Sequence, residues 1–147
     1  MASTQLRDRI ALRKLVWVGP LTIVSTVIVN LIVRSIAVSI FGVPEAFYYF
    51  QVPLVIGSTI VFLLLALLAF VLVSRFARRP IRFYRLLALV ALCISFLTPV
   101  MALAGLLPAP GMTLTIFWTM IVMHIVSAII VIGLFTTLTR EQTEQLR

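Results

Sequence analysis

From residue 46 to 74, and again from 86 to 139, the chain carries no Asp, Glu, Lys or Arg, yet the eleven positions between hold five arginines, Arg75, Arg78, Arg79, Arg82 and Arg85. A charged side chain at the centre of a bilayer costs at least about 2.5–3.5 kcal/mol, so this cluster marks a turn in water between two segments that water does not cover. The residues are 63% hydrophobic and 11% charged, against about 45–50% and about 25% in soluble domains, which is the composition of a membrane protein. Each crossing of a hydrocarbon core about 30 Å thick takes roughly 20 residues, so 147 residues hold four crossings and short connections. The expected fold is all-α, a transmembrane four-helix bundle. It forms a single domain over residues 1–147, with helices at about 14–38, 52–74, 83–106 and 112–138 and a basic loop at 75–85.

The connections are read from their own chemistry. Arg7, Asp8, Arg9, Arg13 and Lys14 form a basic leader before the apolar run 15–33. That run exceeds the roughly 7–15 residues of a signal-peptide core and ends in Asn30 and Arg34, not in a small-residue cleavage site, so a retained anchor is expected. Gly19 and Pro20 are expected near the cytoplasmic end of this helix, where a missing N–H is tolerated and a modest bend can form. Phe41-Gly42-Val43-Pro44-Glu45 reads as a turn, and Ala46-Phe47-Tyr48-Tyr49-Phe50 as an aromatic segment lying along the outer interface. Leu107-Pro108-Ala109-Pro110-Gly111 is a second outer turn, which makes the third and fourth helices antiparallel neighbours.

Basic residues flank the first span on its N-terminal side, fill the 75–85 loop and recur at Arg140 and Arg147, whereas the other two connections hold only Arg34 and Glu45. The positive-inside rule places both termini and the arginine loop in the cytoplasm. The net charge of +8 therefore serves topology and anionic lipid, and nucleic acid is not an expected partner. Arg75, Arg78, Arg79, Arg82 and Arg85 carry two readings: they hold the hairpin in the cytoplasm, and at about 1 kcal/mol apiece they would attract anionic lipid or an acidic partner.

Inside the spans, polar side chains need partners. Counting 1.5 Å per residue from each cytoplasmic helix end puts Asn30 and His124, the only histidine, about 21–24 Å up the bilayer, with Thr98 and the pair Ser58 and Thr59 at a similar height. Arg34 follows about one turn above Asn30 on the same face. One reading makes this layer a polar pocket in which an imidazole relays a proton or binds a head group. The other makes it interhelical glue worth roughly 0.6 kcal/mol per hydrogen bond. Arg34 is either an interfacial anchor paired with Glu45 or a contact for an anion or lipid phosphate. Pro99, after Thr98, is expected to kink the third helix and free the Ser95 carbonyl.

No Ser–His–Asp set, carboxylate pair, glycine-rich phosphate loop or metal-ligand spacing appears in the sequence. Cys93 stands alone and excludes paired-thiol chemistry. Met101, Met112, Met120 and Met123 read as gap-fillers, and one histidine is too few for a bis-imidazole haem within one chain. Neither catalysis, a metal nor a cofactor is expected.

The basic loop leading into Phe83-Tyr84-Arg85, the run Ser95-Phe96-Leu97-Thr98-Pro99, and Met123-His124 before small residues together resemble a family of small bacterial four-helix membrane proteins of unknown function, over about residues 14–138. The resemblance implies a bacterial inner-membrane location and directs interest to Asn30, Pro99 and His124; it brings no activity or substrate. By elimination, the expected role is that of a non-enzymatic accessory subunit or scaffold packed against a larger membrane complex or against a second copy. The alternative is a small transporter or lipid-binding or small-molecule-binding protein using Asn30, Arg34 and His124, although four-helix exporters usually need a membrane-embedded carboxylate and none lies in these spans. A third possibility is a subunit that shares a cofactor with another chain, His124 supplying one ligand.

The orientation is open to direct test. A chain carrying Arg79→Cys and Cys93→Ser should react with a membrane-impermeant maleimide only after the cytoplasmic face is opened, and labelling from the periplasm would overturn the assignment.

Overall fold

The structure, a computed structural model, describes residues 11–140; Arg7, Asp8 and Arg9 of the basic leader and the polar tail beyond Arg140 lie outside them. After a single 3-10 turn at Leu12–Lys14, α1 spans Leu15–Phe41. It stops at Gly42, whose φ of 66° few other residues adopt at low cost, and Val43 N–H donates to the Ala37 carbonyl at 3.1 Å to close the end. Pro20 lies inside α1 and not in its first turn. It leaves the Val16 carbonyl without its helical donor, but Val16 is 80% exposed beside the helix end, where that oxygen can be satisfied outside the helix.

The second helix, α2, spans Val52–Phe76, and the third span starts at Pro80, so only residues 77–79 remain of the expected loop at 75–85. Within that span α3 covers Pro80–Ser95 and α4 covers Leu97–Leu103, joined at Phe96, whose φ of −70° and ψ of −16° stay helical; its N–H donates to the Leu92 carbonyl at 3.3 Å and its carbonyl accepts from the Val100 N–H at 3.1 Å. The expected kink at Pro99 is thus a local interruption within one span, where the proline lacks the N–H that would have met the Ser95 carbonyl. After a turn through Gly105 and Gly111, Thr113 caps α5, accepting from the Ile116 N–H at 3.3 Å, and α5 runs over Leu114–Leu138.

All four spans are long and apolar enough to cross a membrane. The protein is an all-α, multi-pass membrane protein. Around the bundle α1 lies between α2 and α5, α3 completes the ring between those same two helices, and α4 rests on α5. The start of α1 and the end of α5 meet: Ala11 N–H donates to the Thr139 carbonyl at 2.9 Å and Lys14 Nζ to the Arg140 carbonyl at 3.0 Å.

The interior has two apolar clusters. At the end shared by both termini and the 77–79 turn, Leu15, Val18, Leu63, Phe70, Tyr84 and Phe135 close together. Phe70 meets Tyr84 edge-on at 4.7 Å between ring centroids and Phe135 at 5.4 Å. Alongside this cluster α1 approaches α2 at Gly19, where a Cβ would sit 3.3 Å from a Leu67 methyl. At the opposite end Ala37, Val43, Phe47, Phe50 and Ile116 form the second cluster. Phe47 and Phe50 were expected along the interface but turn inward, because the 3-10 turn at Tyr48–Phe50 folds the connection back over the bundle; Tyr48 stays exposed.

Because lipid tails are as apolar as these side chains, packing rather than water exclusion distinguishes inside from outside. Replacing the buried Phe135 by Ala should cost about 3 kcal/mol, read as a lowered unfolding midpoint in dodecyl sulfate mixed micelles. Phe62→Ala, at an outward position on α2 that is 67% exposed, should leave that midpoint nearly unchanged.

Candidate functional site

Between the two apolar clusters α1 presents a polar row with a period of four, Thr22, Thr26, Asn30 and Arg34. Four-residue spacing keeps successive side chains on one helix face, here the face turned to α2 and α5. The two threonines satisfy themselves locally, Thr22 Oγ1 donating to the Val18 carbonyl and Thr26 Oγ1 to the Thr22 carbonyl, both at 2.7 Å. Asn30 reaches across the bundle. Its Nδ2 lies 3.1 Å from Thr59 Oγ1 on α2 and 3.1 Å from Ser127 Oγ on α5, and Ser127 Oγ donates back to Oδ1 at 3.3 Å. A single buried amide therefore ties three helices at one level, using both its donor and its acceptor side.

One turn further, Arg34 is half-buried and its Nε donates to the Phe50 carbonyl at 2.5 Å. The expected partner, Glu45, is exposed on the turn instead. Arg34 so fixes the 3-10 turn that carries Phe47 and Phe50 into the second cluster.

The other expected members of the layer stand apart. Ser58 is exposed and its hydroxyl returns to the Leu54 carbonyl at 2.6 Å; Thr98 is exposed on α4. Both follow from helix rotation: Ser58 is 100° around α2 from Thr59, and equal depth does not mean an equal face. His124 is half-buried one turn of α5 away from Ser127, its ring edge-on to Phe96 at 6.3 Å, beside the kink in the third span. It takes part in no hydrogen bond among the described residues, whereas no fully buried side-chain nitrogen or oxygen among them lacks a partner.

The five arginines also divide. Arg75 ends α2, Arg78 and Arg79 form the turn, and Arg82 and Arg85 ride on α3. Arg85 Nη2 donates to the buried Thr136 Oγ1 of α5 at 3.2 Å, so it braces the bundle. The sequence reading passed over Ser127 and Thr136, which look ordinary in an apolar run. The four-residue rhythm of Thr22, Thr26, Asn30 and Arg34 was the available signal for the row on α1. Among the described residues no three His, Cys, Asp or Glu side chains come together as a metal would require.

A profile of one protein family matches residues 10–141. The chain belongs to DUF6069, a family of unknown function. No curated protein and no solved structure matches it. The DUF6069 match covers all four spans and with them the whole Asn30 layer, in agreement with the resemblance to an uncharacterised family.

A double-mutant cycle measures the fastening of this DUF6069 chain. Asn30→Ala and Thr59→Ala should each lower the unfolding midpoint in mixed micelles, with a coupling of about 0.6 kcal/mol and no more than about 1.7. Ser58→Ala combined with Asn30→Ala should show none.

Proposed function

We propose that the protein is a non-enzymatic membrane subunit that works by association, as an accessory component or scaffold packed against a larger membrane complex or a second copy. The observation that carries this reading is the fastening of Asn30, whose two N–H groups meet Thr59 and Ser127 while its oxygen accepts from Ser127. Such a fastening sets helix register; a substrate path would need polar groups with capacity to spare, and both N–H groups of Asn30 are taken, while Arg34 holds the Phe50 carbonyl through Nε. Among the described residues His124 makes no hydrogen bond to Asn30 or Arg34, which favours this reading over that of a small transporter or lipid-binding pocket.

Outward surfaces agree with it. The connections at 42–51 and 104–113 are short, so most of what a partner can touch lies on the apolar helix faces. His124, half-buried and in no hydrogen bond among the described residues, offers an imidazole that a neighbouring protein can satisfy. We further propose, from the distribution of Lys and Arg, that both termini and the 77–79 turn face the cytoplasm of a bacterial inner membrane.

Purification in a mild detergent, then reconstitution in native nanodiscs, should return the protein with a stable partner or as an oligomer. His124→Leu should weaken that assembly while leaving the unfolding midpoint of the bundle in place. A monodisperse wild-type monomer in nanodiscs would refute the proposal.

A further inference from the structure

Where α2 gives way to α3, an open groove of about 680 Å³ lies between the two helices. Leu72 and Phe76 of α2 line it, with Phe83 and Leu86 of α3, and all four are exposed. Arg78, Arg79 and Arg82 line the same groove at the turn. Arg75 and Arg85 do not, and Arg85 is engaged with Thr136. The cluster read in the sequence as one basic loop is therefore three arginines over an apolar furrow and two outside it, one of them bonded to Thr136.

Among the described residues the charges there are unbalanced in a particular way. Helix α3 begins with no side-chain cap at Arg79 and no acidic residue in its first turn. A helix N-terminus carries about half a positive charge, so Arg79 and Arg82 stand at the end where carboxylates are favoured and guanidinium groups are repelled. Among the described residues the only carboxylate, Glu45, is at the opposite end of the bundle. An anion in the groove relieves that repulsion, and planar guanidinium groups match phosphate oxygens in pairs. The furrow beside them accepts a hydrocarbon chain, and its volume falls in the range of about 300–1,000 Å³ typical of small-molecule sites.

We propose that this groove binds one anionic phospholipid. Its phosphate is held by Arg78, Arg79 and Arg82 at the start of α3, and one acyl chain lies along Leu72, Phe76, Phe83 and Leu86. The proposal rests on the membrane placement of the helices and not on the accessory-subunit reading, so either can fail without the other.

The test is native mass spectrometry of the full chain in a neutral detergent, titrated with phosphatidylglycerol. One lipid should be retained, and phosphatidylcholine at the same concentration should not. Arg78→Gln, Arg79→Gln and Arg82→Gln should each weaken retention about fivefold, whereas Arg75→Gln, which removes the same charge a turn away, should change it by less than about twofold. Phe76→Ser should weaken retention too, and glycerol phosphate should not compete. All of these side chains except the arginine-flanked turn itself lie on exposed helix surface, and far-UV circular dichroism checks that each variant keeps its helices. Equal weakening by Arg75→Gln would show diffuse surface charge, equal retention of phosphatidylcholine would show that charge is not read, and competition by glycerol phosphate would show an anion site without a lipid; each overturns the proposal.

Discussion

Hydrocarbon offers a polar group nothing to bond with, and the bundle is arranged to meet that demand inside its own chain. The amide of Asn30 is where the demand is greatest, because it is buried in a span and no backbone oxygen of its own helix takes its two N–H groups. Thr22, Thr26, Thr136 and Thr137 solve the same problem by turning back on the carbonyl four residues earlier. Asn30 instead recruits α2 and α5, so satisfying one side chain also fixes how far those helices can slide or rotate against α1. Each such bond is worth only some tenths of a kcal/mol because competing partners exist in the unfolded, inserted state. Its effect is on which arrangement forms more than on how stable that arrangement is.

This fastening divides the interior. At one end, Phe70, Tyr84 and Phe135 fill the space between α2, α3 and α5; at the opposite end, Phe47 and Phe50 of the connection pack with Ala37 of α1 and Ile116 of α5. The two clusters are made differently. The first is packed from helix faces alone, while the second borrows its aromatics from the connection between α1 and α2, held in place through the Phe50 carbonyl by Arg34. An arginine inside the first span thus positions the aromatics that close this end of the bundle.

The number of spans, their approximate limits and the kink at Pro99 could be read from the sequence, because charge, apolar length and proline act locally and do not depend on the neighbouring helix. The polar layer was legible only in part. Depth along a helix follows from counting residues, but the direction a side chain faces depends on packing, and that is why Thr59 entered the layer while Ser58 and Thr98 did not. Ser127 was invisible for a different reason: a lone serine in an apolar helix usually bonds its own backbone, and only the approach of Asn30 makes it a partner. The basic cluster misled by appearing continuous. A loop of eleven residues was expected where a three-residue turn suffices, since arginine stems lie along apolar helix surface while their heads reach water.

The clasp between the beginning of α1 and the end of α5 has a bearing on biosynthesis. Ribosomes deliver α1 well before α5, yet α1 packs against α5 along much of its length and shares Asn30 with Ser127. Until α5 enters the bilayer, α1 has only α2 beside it and half of its amide's partners. Insertion of each span and closure of the bundle are accordingly separate events, and the nascent bundle waits, open along one side, for α5.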